Sequence, residues 1–398
     1  MLLARLLSKI FKKGGIILID SQEQKYICGK PNLKKPLTIK LLKKNLNWKL
    51  ILNPELSFPE AYMRGEIEIR NGSLLDFLNI TFENIGRSEV NTNGYLIKKF
   101  LHAWRFLTNY NLPRKSKRNV KHHYDIGEDL YDLFLDKKHR QYSCAYFFHE
   151  DESLEKAQQN KIDHIIKKLN LNPGEKVLDI GCGWGGMAFE IARQSECEVT
   201  GISLSENQIS YCKKKAKELK MDNQIHFELK DYREVKDKYH KIVSVGAIEH
   251  FGKKFYRTFF KKIKNIMTDD AICLLHTIGS VDRPTPVQPW IQKRIFPGGI
   301  VPSLSELVNP IEKTGLVLAD CETLIHHYDK TLKAWLKRFL ENKNRAKSLY
   351  DEDFCRMWEF YLASCSAAFK FRDLVVYQLQ LVKNFNAPPS NRRNYIYQ

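Results

Sequence analysis

The sequence predicts an α/β protein, a Rossmann-like, doubly wound parallel sheet preceded by a smaller N-terminal α+β domain. Three observations carry this. From Asn119 onward, short apolar strands such as KVLDI, CEVTGI, KIVSV and AICLLHTI alternate with helix-like stretches, the pattern of a parallel sheet covered by helices. The strand KVLDI runs into a glycine-rich turn, VLDIGCGWGG at residues 177–186, and then into the helix-like MAFEIARQ. At 398 residues the chain exceeds one ordinary core, and a guide of about 150 residues per domain gives two.

The first element places Leu2, Leu3, Leu6, Leu7, Ile10 and Phe11 at helical spacing, with Arg5, Lys9, Lys12 and Lys13 between them. This is an amphipathic basic helix, which either packs its apolar stripe on its own domain or lies in a bilayer interface. Strand-like IILID, LTIKLL and WKLILN follow, punctuated by Pro31, Pro36, Pro54 and Pro59. The segment NYNLPRKSKRNV, residues 109–120, sets a proline among basic residues with almost no apolar content and reads as an exposed linker. The expected domains are therefore 1–110 and 121–398, joined by a basic linker at 111–120.

Composition narrows the function. No apolar run approaches the ~18 to 20 residues of a membrane span. The N-terminus has a signal-like look, but Arg5 and Lys9 break its apolar stretch and no small-residue cleavage site follows, so no export is expected. The nine cysteines are scattered, without a C-x-x-C pair, and no H-E-x-x-H occurs, so neither a disulfide framework nor a zinc site is indicated and a reducing cytoplasm fits. The formal charge of +19 calls for a polyanionic partner, nucleic acid or anionic lipid. Residues 1–118 hold 22 Lys and Arg against 9 Asp and Glu, about two thirds of the excess, so the N-terminal segment is the candidate docking surface.

The glycine turn is suited to a nucleotide-like ligand, because Gly181, Gly183, Gly185 and Gly186 permit a sharp turn and close backbone approach at a helix N-terminus. Its form is G-x-G-x-G-G with Asp179 two residues ahead, not G-x-G-x-x-G, and no acidic residue ends the second strand VTGIS. Asp-x-Gly-x-Gly after a strand resembles motif I of Rossmann-like methyltransferases, while a dinucleotide enzyme and a structural turn stay open from the loop alone. Ser203 with Gln208 follows the second strand, and Asp231 with Tyr232 follows the third, HFELK. Such groups can hold the ribose and amino-acid ends and seat an adenine. Asp231 alone also reads as a helix N-cap.

Residues 121–383 resemble the cyclopropane-fatty-acyl-phospholipid synthases, through KHHYDIGEDLYDLFLD, YSCAYF, LDIGCGWGG, DYRE, IVSVGAIEHFG, LLHTIGS, PWIQKRIFPGG, HHYDKTLKAW and AAFKFRD. The first 110 residues resemble that family more weakly, chiefly in AYMRGEIEI and GSLLDFL. The resemblance implies a class I methyltransferase fold with an N-terminal lipid-binding domain. It implies methyl transfer from S-adenosylmethionine to the cis double bond of an unsaturated phospholipid acyl chain, closing a cyclopropane ring, with a bound bicarbonate ion as base. Carried over by residue, Cys144, Glu249, His276, Ile278 and Tyr328 would surround the bicarbonate. Tyr142, Ser143, Asp179, Gly181, Gly183, Ser203, Gln208, Asp231 and Tyr232 would line the cofactor site.

Read one at a time, His276 would be a satisfied core histidine, Cys144 a small buried hydrophobe and Glu249 beside His250 a salt-linked helix start; their joint order in family strings favours the functional reading. The chain departs from the family at His326 and His327 and at Arg294 and Gly299, positions that bear on acyl preference. The expected partners are an anionic membrane and unsaturated acyl chains, with peripheral attachment to the inner membrane face, no nucleic acid, and a homodimer left open. KKFYRTFFKKIKNIM interleaves aromatic and basic residues, yet its helical spacing reads as a half-buried helix with a solvated basic face. Competing readings are a methyltransferase giving methyl-branched lipids or N-methylating a small amine, a lipid-binding protein without catalysis, and a nucleic-acid methyltransferase.

Overall fold

The computed structural model describes residues 1–87, 127–388 and 393–397. These form two compact units. One takes 1–87, 287–297 and 329–374, and the other takes 127–286, 298–328 and the described residues from 375 onward. The expected linker, 111–120, lies outside the described residues. The unit that contains the N-terminal residues also takes two segments, 287–297 and 329–374, that the sequence places in the domain 121–398. The reason is packing: the helix Glu352–Phe371 lies against the helices Pro54–Met63 and Leu74–Ile85.

The first unit holds a four-stranded sheet, order β2-β1-β3-β4, made of β1 (Gly15–Ile19), β2 (Lys25–Gly29), β3 (Thr38–Leu41) and β4 (Ile67–Arg70). IILID and LTIKLL form strands as expected, but WKLILN does not, because residues Leu46–Leu52 are helical. Leu46 and Leu50, one turn apart, are the buried residues of that helix, a spacing that β-like composition hid. A Ser73–Asp76 capping box starts the helix Leu74–Ile85. Phe58 stacks on Phe77 at 5.0 Å, and Trp290 meets Phe360 edge-on at 4.9 Å, so all three segments share one aromatic core. Arg294, where the sequence departs from the family it resembles, donates to Glu60 at 3.0 and 2.8 Å.

The second unit is built on a seven-stranded sheet. Its strands are β5 (Lys176–Ile180), β6 (Glu198–Ser203), β7 (Ile225–Leu229), β8 (Tyr239–Val245), β9 (Met267–Ser280), β10 (Val317–Leu324) and β11 (Leu374–Val382), in the order β10-β11-β9-β8-β5-β6-β7. β5 pairs in parallel with β6 on one side and β8 on the other, β6–β7 and β8–β9 are also parallel, and β10 runs antiparallel to β11. Alternate residues feed opposite faces. Val177, Val199, Val243 and Leu274 join one apolar cluster, with Ile165, Met187 and Ile191, while Leu178, Ile180, Ile242 and Leu275 join another, with Phe259, Phe260 and Ile263. Each such fully buried side chain contributes about 1.5–3 kcal/mol. The basic aromatic helix, Tyr256–Ile266, buries Tyr256, Phe259, Phe260, Ile263 and Ile266, as the half-buried reading expects.

Candidate active site

Strand order reverses at β5, from which the chain first runs outward through β6 and β7 and then returns to β8 on the opposite side. At such a switch point the loops leaving the carboxyl ends diverge and open a crevice. A cavity lies there, lined by residues following β5 (Gly181 to Trp184), β6 (Ser203, Leu204, Gln208), β7 (Lys230 to Arg233) and β8 (Gly246, Ala247, His250, Phe251), with Arg140 to Ser143 completing it. All nine residues expected at the cofactor, Tyr142, Ser143, Asp179, Gly181, Gly183, Ser203, Gln208, Asp231 and Tyr232, line this one cavity.

The loop geometry explains its glycines. Gly181 has φ +81° and a Cβ there would stand 2.9 Å from Ala247 Cβ. Gly183 has φ +55°, but an added Cβ would meet nothing within 4 Å, so the free space beside it belongs to the cavity. Ser203 Oγ donates to Gln208 Oε1 at 2.9 Å, joining the end of β6 to the next helix, Glu206–Glu218. Asp231 does cap a short helix, accepting from Arg233 N at 3.0 Å, and lines the cavity as well.

Several polar valences in the lining are open. Asp179 Oδ2, Trp184 Nε1 and Arg140 Nε are buried without a partner among the described residues. Burial pushes the Asp179 carboxyl up to about 7, with the Lys161 ammonium pulling it back part way. Lys161 itself is fully buried, donates to Gln141 Oε1 and to Ser143 Oγ at 3.0 Å, and is pushed down to about 8 by burial. An open carboxylate oxygen, an indole N–H and a guanidinium N–H in one cavity fit a ligand with both an ammonium and a carboxylate.

Glu249, His276 and Ile278 gather beyond the carboxyl ends of β8 and within β9. Glu249 Oε1 accepts from Ile278 N at 2.8 Å, and its Oε2 is buried with no partner among the described residues. Burial pushes this carboxyl up to about 7, against the pull of the backbone N–H groups of Glu249 and Ile278 and of the Thr277 hydroxyl. The His276 carbonyl accepts from Gly246 N at 2.9 Å, tying β9 to the loop after β8. Its imidazole, 2% exposed, is held well below its ordinary range by burial and by the nearby Lys161 and Lys168 charges. Cys144 is buried directly after Ser143 in the lining. Tyr328 is buried next to His327, whose ring stacks on Tyr146 at 4.7 Å and whose Nδ1 accepts from Phe147 N at 3.1 Å. The histidine that departs from the family thus ties Tyr328 to the loop carrying Cys144.

None of Cys144, Glu249, His276, Ile278 and Tyr328 lines the cavity itself. The Ile278 amide holds Glu249 in place, so it is not a free donor to an ion. Sequence reasoning missed Arg140, Lys161 and Trp184. Trp184 lay in plain view inside GCGWGG, and Arg140 stands just before YSCAYF; Lys161, on the helix Leu154–Leu169, carried no local signal.

A glycine loop after β5, a cavity at the switch point and a seven-stranded sheet with an antiparallel pair at its end define an S-adenosylmethionine-dependent methyltransferase of class I fold. The chain belongs to the mycolic acid cyclopropane synthetase family, whose profile matches residues 112–379. It is 40% identical over 272 residues to the cyclopropane-fatty-acyl-phospholipid synthase of Escherichia coli K12, covering 68% of this chain and 69% of that one. It is 34% identical to the solved cyclopropane synthase MmaA2 of Mycobacterium tuberculosis, with a TM-score of 0.64 over 67% of this chain and 97% of that one. Coclaurine N-methyltransferase shares the fold at 18% identity, with a TM-score of 0.65 over 85% of this chain and 98% of that one.

Among the described residues, no helix is long and apolar enough to cross a membrane.

Proposed function

We propose that this enzyme converts the cis double bond of unsaturated phospholipid acyl chains into a cyclopropane ring, with bicarbonate as the base. The observation that carries the reading is the Glu249 carboxylate, oriented by Ile278 N–H on one oxygen and open on the other. A buried acceptor of this kind is suited to a hydroxyl such as that of bicarbonate. The substrate class is supported by the relatives, named for cyclopropane formation on fatty-acyl phospholipid and on mycolic acid.

When bound, S-adenosylmethionine supplies an electrophilic methyl group and bicarbonate a proton acceptor. The chain's own residues do the rest. Gly181 and Gly183 would let the backbone approach the cofactor, the unpartnered Asp179 oxygen could accept from its ammonium, and Ser203, Gln208, Asp231, Tyr232, Ser143 and Tyr142 would hold its remaining polar groups and its adenine. Glu249 would orient the ion through its unpartnered oxygen and His276 would donate to it, with Cys144 and Tyr328 around them. An alkene is a weak nucleophile and water would trap a cation, so positioning and water exclusion must supply most of the rate.

Membrane docking belongs to the same reading. Leu2, Leu6 and Ile10 form a row on the first helix and are 44%, 37% and 41% exposed, while Leu3, Ala4 and Phe11 are buried. The amphipathic helix therefore packs one side and leaves an apolar row outward, among exposed lysines. This favours attachment to an anionic bilayer. The test is mass spectrometry of unsaturated phospholipid vesicles incubated with the protein and methyl-labelled cofactor. A gain of one CH₂ that survives mild hydrogenation supports the ring, a gain of CH₄ shows a methyl branch, and no labelled lipid refutes the reading.

A further inference from the structure

A polar row crosses the sheet on the His276 side. Gln378 on β11 stands directly opposite Glu322 on β10, and β11 lies next to β9, which carries His276. Lys168 and His164, one turn apart on the helix Leu154–Leu169, reach down onto this row. Lys168 Nζ donates to Glu322 Oε2 and, at 2.8 Å, to Gln378 Oε1, while His164 Nε2 lies 2.7 Å from Glu322 Oε2. Gln378 Nε2 lies 3.2 Å from His276 Nδ1. Gln378, Lys168 and His276 are 0%, 1% and 2% exposed, so water does not compete for these bonds.

The chemistry leaves one consistent arrangement. An ammonium paired with a carboxylate has only N–H groups to offer, so the Gln378 atom that meets Lys168 is the amide oxygen. The other end of the same amide is then an N–H, and it must meet a lone pair on His276 Nδ1. A neutral imidazole with its lone pair on Nδ1 carries its proton on Nε2. Resting on the reading that His276 belongs to the reaction site, we infer that Gln378, locked by Lys168 and Glu322, is a positioning residue that fixes His276 as the Nε2–H tautomer. His276 is thereby an obligate hydrogen-bond donor that holds an anion or a substrate oxygen, and it does not take the proton lost in the reaction.

The charged and titratable groups facing His276 are Lys161, Lys168 and His164 from the helix and Glu322 from β10. The tautomer is read directly by NMR of the ¹⁵N-histidine-labelled full chain, with the His276 signals assigned by their loss in His276→Asn. The expected spectrum at neutral pH shows Nε2 protonated and Nδ1 bare; Nδ1–H in the parent overturns the inference. Gln378→Glu keeps the contact to Lys168 but presents His276 with an acceptor, so the ring gains a proton on Nδ1. Its kcat is expected to fall by roughly 10²-fold at pH 8, the scale of losing one oriented donor, with KM for the cofactor little changed. Activity then recovers in part as pH falls, because the doubly protonated ring regains Nε2–H. An unchanged kcat in folded Gln378→Glu overturns the inference. Gln378→Met, which removes the donor without adding charge, carries the NMR test if the first variant does not fold: a ring no longer fixed as Nε2–H supports the role, and an unchanged tautomer overturns it. A parent protein that methylates no lipid would defeat the function reading while the NMR result stood.

Discussion

Glu249→Gln is expected to make the protein more stable and much less active. The Glu249 carboxyl rises from 4.5 to about 7 on folding because burial penalises its charge. A rise of an acid's folded value means stability is full below the unfolded value and is lost as pH climbs from about 4.5 through about 7. At 1.36 kcal/mol per pH unit the loss amounts to ~3 kcal/mol. Glutamine keeps an oxygen for Ile278 N–H but carries no charge at any pH, and its buried N–H, meeting no acceptor, takes back ~1 kcal/mol or more at every pH. The variant should therefore gain about 1–2 kcal/mol over the parent at pH 8, roughly 2–8 °C in the melting of the second unit, and be about 1 kcal/mol less stable than the parent at pH 4. Asp179, also pushed up to about 7, contributes to both proteins and drops out of the difference. The assay is thermal melting of both proteins across pH 4 to 8, beside label transfer to lipid, where turnover should drop by at least ~10²-fold with cofactor affinity retained. A variant less stable at pH 8 than the parent would show that the carboxylate has a compensating cation. Parental turnover would remove Glu249 from the mechanism.

Gly183→Val should abolish cofactor binding by calorimetry while altering melting by only ~1–2 kcal/mol, since the cost is a left-handed φ and the side chain fills open cavity space. Gly181→Ala should lose stability as well, because its Cβ meets Ala247; equal melting of the two variants would refute the distinction. Charge reversal at Lys12, Lys34 and Lys35 should cut binding to anionic vesicles on the order of 10²-fold at low salt, at about 1 kcal/mol per basic residue, with cofactor affinity unchanged. Lys13 is left alone because it pairs with Glu83 at 3.3 Å. Serine at Leu2, Leu6 and Ile10 should weaken flotation with vesicles without changing melting, and equal flotation would show the row to be a solvated face.

The sheet was legible because its strands are continuous apolar runs, and KVLDI, CEVTGI, HFELK, KIVSV and AICLLHTI all form strands. The antiparallel pair β10 and β11 was not, since VLADCETL is only partly buried and signals little. The cavity lining was legible because motif positions follow strand ends, which the topology converges. Lys161, Gln378 and Glu322 were invisible for a different reason: partners such as Lys168 and Gln378 are 210 residues apart, and no local pattern announces a bond across that distance. Helix Leu46–Leu52 was misread because Trp, Ile and Leu favour strands when neighbours are ignored.

The interleaving of segments has a consequence for biosynthesis. The unit begun by residues 1–87 is closed by residues 329–374, which leave the ribosome only after the strands β5 to β10. Until then Phe58 and Tyr62 lack Phe360, so the amino-terminal unit waits, incompletely packed, while the other sheet's parallel strands are made. Cutting the gene between residues 97 and 98 would thus yield not two separable modules but one fragment deprived of its core and another with an uncovered apolar helix face.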